Sequence, residues 1–207
     1  KLMEMPSEAV LARLEPGETM QVPIRVHLDA DKLNLIDVNT PAQAKVEVSY
    51  SVAGARQSLS RTTSVMVYSK NAVDWDNDQA VAAFATPRES SVSQFARSVV
   101  TGGAGGSSLM RNAVGAFEGL KALGFRYVKD PSGVSSKQSL DYVQFPRETL
   151  RARTGDCDDL AVLYASVLES IGIETAFVLV PGHIFMAFAT DARATSAHRI
   201  SFNSNDY

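Results

Sequence analysis

The period of the hydrophobic residues changes near Trp75, and this change constrains the fold more than any other feature of the chain. Before it, apolar and polar residues alternate, as in VEVSYSV at residues 46–52, which is the pattern of half-buried strands. After it, apolar residues recur every three or four positions, which is the pattern of helices. The sequence therefore predicts an α+β protein, with an antiparallel, sandwich-like β module at residues 1–75 and a second domain at residues 76–207.

Three stretches of the first part alternate in this way. They lie at residues 22–28, 46–52 and 59–68. Gly54 falls between the second and third stretches, and a glycine between two alternating runs is typical of a hairpin turn. We therefore expect a hairpin within a small antiparallel sandwich or sheet.

Helical spacing begins directly after the change of period. Asp78 can cap a short helix that carries Val81 and Phe84. Further runs with helical spacing lie at residues 92–99, 109–123 and 160–171. These runs predict that the second domain contains at least four helices.

Composition excludes several classes of function. The chain has 207 residues, of which 45% are hydrophobic, and this is enough to bury a core. With 20 basic against 23 acidic residues, it shows no basic patch for nucleic acid. No window approaches the length of about 18 apolar residues that a membrane span needs. The first residues, KLMEMPSEAV, lead us to expect a piece of a longer protein.

The single cysteine, Cys157, lies in the segment RTGDCDDLAVLYASVLESIGI. Asp156 is a natural N-cap for the helix predicted there, which places Cys157 in the first turn. Unpaired backbone N–H groups and the positive end of the helix dipole favour a thiolate at that position. A lone cysteine is more often a small buried apolar residue, but buried structural cysteines rarely need a position in the first turn of a helix. We therefore interpret Cys157 as a candidate nucleophile.

His183 is the candidate partner of this cysteine. Two apolar runs, IETAFVLV and HIFMAFA, follow the cysteine helix and predict two strands joined by a tight turn at Pro181 and Gly182. His183 opens the second strand, where it can meet the sulfur and take its proton. A histidine at a strand edge is by itself more often a surface residue, so the prediction depends on the pair. Spacings typical of zinc ligands are missing from the sequence.

Three segments of the chain together resemble a known family. These are YVKDPSG, then FPRETLRARTGDCDDLAVLYASVLESIGI, then PGHIFMAF. They are similar to the bacterial transglutaminase-like superfamily, and within it to the transglutaminase-like cysteine peptidases. The resemblance implies a papain-like core in which helices pack on an antiparallel sheet, with the cysteine on a helix and the histidine on the following sheet. It also implies a bacterial, extracytoplasmic setting, periplasmic or secreted.

The resemblance assigns roles to individual residues. Cys157 would be the nucleophile, and His183 would be the general base and later the general acid. In the superfamily an acidic or amide residue on the next strand orients the histidine. Asp191 and Asp206 are the weak candidates here, and we expect the core to be incomplete at its C terminus, with the third residue beyond Tyr207 as an alternative.

These roles predict an acyl-transfer enzyme that hydrolyses an amide or peptide bond through a thioester, with no cofactor required for the chemistry. The expected partner is a protein or peptide substrate. Transamidation, in which an amine replaces water, is an alternative that the sequence does not separate from hydrolysis. A catalytically idle module that binds a protein or peptide is a second alternative.

Three aspartates lie next to the cysteine, and their negative charges would destabilise a thiolate. A carboxylate about 4 Å from a thiolate costs about 4 kcal/mol at an effective dielectric constant near 20, whereas a helix terminus returns only about 0.3 to 2 kcal/mol. Asp156 and Asp159 can instead form a capping box, which leaves Asp158 in solvent. Alternatively, as the resemblance suggests, Asp156, Asp158 and Asp159 bind calcium, which prefers such oxygen ligands.

Overall fold

The computed structural model describes residues 2, 3, 5–100, 106–129 and 140–190. The chain divides into two compact units, Lys1–Asn71 and Ala72–Tyr207. The boundary expected from the sequence, near Trp75, lies just after this division. Each unit is described separately below.

The first unit contains a long antiparallel hairpin. Strand β1 (Thr40–Val52) pairs with strand β2 (Ala55–Val67) along its whole length. Ala53 and Gly54 form the connection, with φ angles of 49° and 81°. Positive φ at both central residues is the geometry of a type I′ turn, whose twist matches that of the two strands. The hairpin predicted around Gly54 is therefore confirmed.

The sandwich and the strand predicted at residues 22–28 are not found in the described part of this unit. There, β1 and β2 form one two-stranded sheet, and within residues 22–28 only Leu28 pairs, in an isolated bridge with Met3. Ile24 and Val26 are 46% and 50% exposed. Alternation alone does not produce a sandwich, because a second layer must cover the apolar face of the first. The unit also has a short helix, α1 (Ala30–Leu33), capped by Asp29.

Five helical segments form most of the second unit. They are a 3₁₀ helix (Trp75–Phe84, kinked at Asn77), α2 (Ser90–Val99), α3 (Gly106–Ala122), α4 (Pro146–Ala152) and α5 (Cys157–Ser170). The first of these is capped by Asp74, whose side chain accepts a hydrogen bond from the N–H of Asp76, so the cap predicted at Asp78 is wrong. In the described part of the chain, no helix combines the length and the apolar character that crossing a membrane requires.

The strands of the second unit pair two by two. Strand β3 (Ala72–Val73) runs antiparallel to β5 (Asp141–Tyr142), and β4 (Arg126–Tyr127) runs parallel to β6 (Thr154–Gly155). Strand β7 (Thr175–Val180) forms a six-residue antiparallel hairpin with β8 (His183–Phe188). The described residues therefore show an α+β unit with three small sheets, one of them parallel.

Helix α5 contributes to both clusters of the hydrophobic core. On one side, fully buried residues such as Leu163 and Val167 pack with residues of α2 and α3. On the other, Val162 packs in a cluster that includes Ile184 of β8 and the partly buried Cys157. Because α5 is surrounded in this way, its first turn has a fixed position relative to the β7–β8 hairpin.

Candidate active site

The candidate site is built on the first turn of α5. Asp156 has extended backbone angles and is the N-cap residue, as predicted, and the N–H of Leu160 donates to its carbonyl oxygen at 3.2 Å. Cys157 is the first helical residue and is partly buried. Its sulfur is therefore attached at the end of the helix where backbone N–H groups have no partner within the helix.

Gly155 is required here because the chain passes very close to Asp159. A Cβ atom at Gly155 would lie 2.6 Å from the Cβ of Asp159 and 2.9 Å from its Oδ2. Carbon atoms in contact normally stay about 3.5 Å or more apart. The first and last residues of the GDCDD segment are therefore in direct contact, which fixes the turn that carries Cys157.

Asp159 connects this turn to the segment before α4. Its Oδ1 accepts a hydrogen bond from the backbone N–H of Gln144 at 2.7 Å, and its Oδ2 accepts one from the Gln144 side-chain amide at 2.6 Å. Oδ2 also lies 3.4 Å from the donating N–H of Asp156. The Asp159 side chain is buried, and its carboxylate is thus engaged by protein donors on both oxygens.

Asp156 and Asp158 lie with Cys157 in a compact group. One carboxylate oxygen from each aspartate and the cysteine sulfur all lie within 4.8 Å of one another. Both aspartates are buried, and Asp158 Oδ1 accepts a hydrogen bond from the N–H of Asp159 at 3.0 Å. The two carboxylates offer the hard oxygen ligands that calcium prefers, so this part of the predicted calcium set is compatible with a cation. Asp159, the third predicted ligand, lies outside this group of three.

Tyr127 reaches the same place from another part of the chain. It is paired with Gly155 in the parallel β4–β6 sheet, and the N–H of Val128 donates to the carbonyl oxygen of Gly155 at 3.0 Å. Tyr127 and Cys157 line one cavity, and a side-chain hydrogen bond with Cys157 is among the causes that raise the pKa of Tyr127. Although Tyr127 is 59% exposed, desolvation by the surrounding protein raises the pKa of Tyr127 above its usual value, and the nearby Cys157 and Asp156 act in the same direction. The hydroxyl is therefore the donor in this bond, because donation favours the protonated phenol.

His183 is held by the tight hairpin. Val180 and His183 are paired, so Pro181 and Gly182 form a two-residue connection, in which Gly182 has a φ of 74°. A positive φ at the third residue is what a type II turn requires, and Pro favours the position before it. His183 is exposed at the start of β8, while the next residue, Ile184, is buried. This alternation anchors the strand and leaves the imidazole accessible.

A cavity of about 460 Å³ joins these elements. Cys157, His183, Tyr127, Asp156 and Asp158 all line it. Trp75 and Asp141 form another part of its wall, and the indole N–H of Trp75 donates to Asp141 Oδ2 at 2.9 Å. The structure therefore brings the predicted nucleophile and the predicted base to one cavity, together with a tyrosine that sequence reasoning did not select.

The candidates for the third catalytic position, Asp191 and Asp206, lie outside the described residues. Strand β8 ends at Phe188, before both of them. Their relation to His183 stays a prediction from the resemblance.

Two residues of this region had no clear signal in the sequence. Tyr127 belongs to the YVKDPSG segment that carried part of the resemblance, but nothing in its local pattern indicates a contact with a cysteine 30 positions later. Gln144 lies in a connection between two short elements, and its partner is 15 positions away. Such contacts depend on tertiary structure, which hydrophobic periodicity does not encode.

Comparison with known proteins agrees with this geometry. A family model described as a transglutaminase-like domain matches residues 44–197, about three quarters of the chain. Searches of curated proteins and of solved structures found no significant match. The matched range contains Tyr127, Cys157 and His183. The chain therefore belongs to the transglutaminase-like domain family.

Proposed function

We propose that this protein is a cysteine acyl-transfer enzyme that hydrolyses an amide or peptide bond through a thioester. The observation that carries the proposal is that Cys157 and His183 line one cavity, with the cysteine at the start of a buried helix. Membership of the transglutaminase-like domain family supports the same class of chemistry. The substrate is a protein or peptide that presents a carbonyl group to the sulfur.

The proposed reaction has two steps that use the same two side chains. His183 takes the proton of the Cys157 thiol, and the thiolate attacks the carbonyl carbon while the C=O π electrons move to oxygen. As the C=O bond re-forms, the C–N bond breaks and His183 gives its proton to the departing amine. A water molecule next attacks the thioester while His183 accepts its proton, and the C–S bond breaks to release the acid. His183 thus serves as base and acid in turn.

The fold supports this chemistry by holding both groups on packed elements. Cys157 is attached to α5, which the core surrounds, and His183 adjoins the buried Ile184. The unpaired N–H groups at the start of α5 favour negative charge near the sulfur. A sulfur and an imidazole held in this way are positioned before the substrate arrives, which lowers the entropic cost of the first step.

Alkylation tests the nucleophile directly, because Cys157 is the single cysteine in the sequence and any cysteine label reports on it. We expect iodoacetamide to label the protein at about pH 6, where an ordinary thiol reacts slowly. The His183→Ala variant should react about tenfold more slowly at that pH and recover near pH 9. His27→Ala is the matched control, because His27 is an exposed histidine of the first unit.

Two outcomes would contradict the proposal. A wild-type protein that stays unlabelled at about pH 6 would favour the idle binding module instead. Equal labelling of the wild type and His183→Ala at every pH would show that the imidazole does not act on the sulfur. Cys157→Ala should abolish any hydrolysis while keeping the fold, because alanine fits the first turn of a helix.

We also propose that calcium binds beside Cys157, through the carboxylates of Asp156 and Asp158. These carboxylates lie close to the sulfur, and a bound cation would offset their repulsion of a thiolate. Asp159, the third predicted ligand, would act by holding the turn through Gln144, since its oxygens already accept hydrogen bonds. Two carboxylates supply fewer ligands than calcium usually takes, so water or substrate oxygens would complete the shell.

Calcium titration tests this second proposal. After treatment with EGTA, added calcium should raise the melting temperature and the rate of Cys157 alkylation, and magnesium should do so less. Asp158→Asn should weaken the response to calcium. If neither the melting temperature nor the alkylation rate changes at millimolar calcium, the two aspartates have no role as calcium ligands.

Transamidation is the second candidate for the reaction, and it is supported by the negative charge of the cavity. Asp78, Asp156 and Asp158 line the cavity, with Lys129 as a basic residue among them. This excess of carboxylates attracts an ammonium group, such as the side chain of a lysine that could replace water as the acyl acceptor. Incorporation of a dansylated amine into a protein substrate would distinguish transfer to an amine from hydrolysis.

A further inference from the structure

We propose that the Tyr127 hydroxyl is the side-chain donor that stabilises the oxyanion formed when Cys157 attacks a carbonyl group. This inference rests on the proposed function, since it assigns a further catalytic residue to the same cavity. The side chain of Tyr127 lines the same cavity as Cys157, so its hydroxyl can reach a carbonyl group that the sulfur attacks.

The position of Tyr127 is fixed by backbone pairing. Its partner across the β4–β6 sheet is Gly155, which lies two residues before Cys157. The hydrogen bond from the N–H of Val128 to the carbonyl oxygen of Gly155 continues this pairing. The tyrosine and the cysteine therefore start from neighbouring points of one small sheet, and their side chains both line the cavity.

The hydroxyl is in the correct state to act as a donor. An ordinary tyrosine has a pKa of about 10, and desolvation raises the pKa of Tyr127 further, although 59% of the residue is exposed. The phenol consequently keeps its proton at neutral pH. It donates to the sulfur in the resting enzyme, and a carbonyl oxygen that gains negative charge beside that sulfur becomes a stronger acceptor.

The other neutral side-chain donor that could serve is already engaged. Among the described residues that line the cavity, Trp75 also carries a neutral N–H group, but this group donates to Asp141 Oδ2 at 2.9 Å. Moving it would leave the Asp141 carboxylate without that bond. Tyr127 needs no such rearrangement, because its acceptor is the sulfur that takes part in the reaction.

In the first step of the reaction, the Tyr127 hydroxyl changes its acceptor from the sulfur to the oxyanion. As the C–S bond forms, the π electrons of the carbonyl group move to oxygen, and the negative charge leaves the sulfur. The Tyr127 O–H then donates to the oxyanion and keeps its own proton throughout. When the oxyanion collapses, the C=O bond re-forms, the leaving group departs, and the thioester remains.

The experiment compares two reactions of Cys157 that differ in whether an oxyanion forms. Alkylation by iodoacetamide displaces iodide and forms none, whereas acylation by p-nitrophenyl acetate passes through a tetrahedral oxyanion. The second reaction releases p-nitrophenolate, which leaves without a proton from His183. We expect Tyr127→Phe to lower the acylation rate by about 100-fold more than the alkylation rate, because removing one oxyanion donor usually has an effect of this size, whereas loss of the bond to the sulfur acts on both reactions alike.

Tyr164→Phe is the matched control. Tyr164 lies on α5, the helix that carries Cys157, and its hydroxyl donates to the carbonyl oxygen of Ala113 at 2.8 Å, away from the cavity. This variant loses a tyrosine hydroxyl bond from the same unit, so it should lower the melting temperature and leave both reaction rates unchanged.

The outcomes separate this inference from the proposed function. If the wild type is not acylated at Cys157, with Cys157→Ala as background, the acyl-transfer proposal fails and the role of Tyr127 fails with it. If the wild type is acylated and Tyr127→Phe is acylated equally fast, only the role of Tyr127 is overturned. An equal loss in both reactions would also overturn it, since Tyr127 would then act on the thiolate and not on the oxyanion.

Discussion

The β1–β2 hairpin and the β7–β8 hairpin have the same plan and very different surroundings. Both consist of two antiparallel strands joined by a two-residue turn, and the strands alternate in polarity in the first hairpin but are apolar runs in the second. All residues of β1 and β2 are exposed or half-buried. In the second hairpin, Ile184 is buried, and Met186 and Phe188 pack against the core around α5.

The difference shows what alternation does and does not specify. An alternating pattern favours an extended chain with two distinct faces, and a suitable turn pairs two such chains. The free energy that stabilises a strand comes mainly from the layer that covers its apolar face. We therefore expect the first hairpin to respond to changes in its turn, and the second to changes in its buried residues.

The largest difference in the free energy of unfolding should come from shortening one apolar side chain in each hairpin. Ile184→Ala should lower the free energy of unfolding of the second unit by about 2 to 5 kcal/mol, because Ile184 is 4% exposed and its loss leaves a cavity. Val46→Ala in β1 should cost less than about 1 kcal/mol, because Val46 is 49% exposed. Urea unfolding of both variants measures the difference. Equal losses would show that the two hairpins are stabilised in the same way.

Two glycine positions, one in each unit, should respond differently to substitution by alanine. Gly155→Ala should destabilise the second unit by about 3 kcal/mol and slow the alkylation of Cys157, because the new Cβ would lie 2.6 Å from the Cβ of Asp159. Gly54→Ala should cost about 1 kcal/mol through its φ of 81° alone, since open space surrounds the position. Thermal unfolding and alkylation distinguish the two causes. Normal alkylation of Gly155→Ala would contradict the role given to this contact.

Alkaline pH should affect the partly buried Tyr164 more than an exposed tyrosine. Burial raises the pKa of Tyr164 above its usual 10.0, so its stabilising contribution is complete below that value and is lost as pH rises through the folded-state pKa. Tyr164→Phe lacks the hydrogen bond to Ala113, so its free energy of unfolding should be about 1 kcal/mol lower than that of the wild type at about pH 8. At about pH 11 the difference should be smaller. Tyr50→Phe in β1 is the control and should change little at either pH. If Tyr164→Phe lost the same free energy of unfolding at both pH values, ionisation of Tyr164 would not explain the pH dependence.

The smallest expected effect is a gain of stability in the first hairpin. Ala53 has a φ of 49°, a conformation that asparagine adopts more readily than alanine. Ala53→Asn should therefore stabilise the hairpin by a few tenths of a kcal/mol, up to about 1. Amide hydrogen exchange of β1 and β2 measures this change, and exchange in β7 and β8 should stay the same. Faster exchange in β1 and β2 would contradict the type I′ geometry.

The sequence predicted the elements whose signals are local. Asp156 as N-cap, the helix that follows it, and the turn at Pro181 and Gly182 all depend on residues a few positions apart. The sandwich and the strand predicted at residues 22–28, which the described residues do not show, needed a covering layer that a strand pattern cannot reveal. The cap predicted at Asp78 was wrong because Asp74, four positions earlier, caps that helical segment. The contacts that were missed, such as Tyr127 with Cys157, join distant parts of the chain through pairs of only two residues, which are too short to leave a periodic signal.

Helix α5 also links the reactivity of Cys157 to the unfolding of the second unit. Nine of its 14 residues are buried, and Cys157 is its first residue. Amides of such an element exchange with solvent mainly through global opening, whereas exposed loops open independently. The sulfur therefore keeps its surroundings until the second unit unfolds as a whole. Loss of Cys157 reactivity on heating and unfolding of the unit should accordingly be one transition, with no folded but inactive state between them.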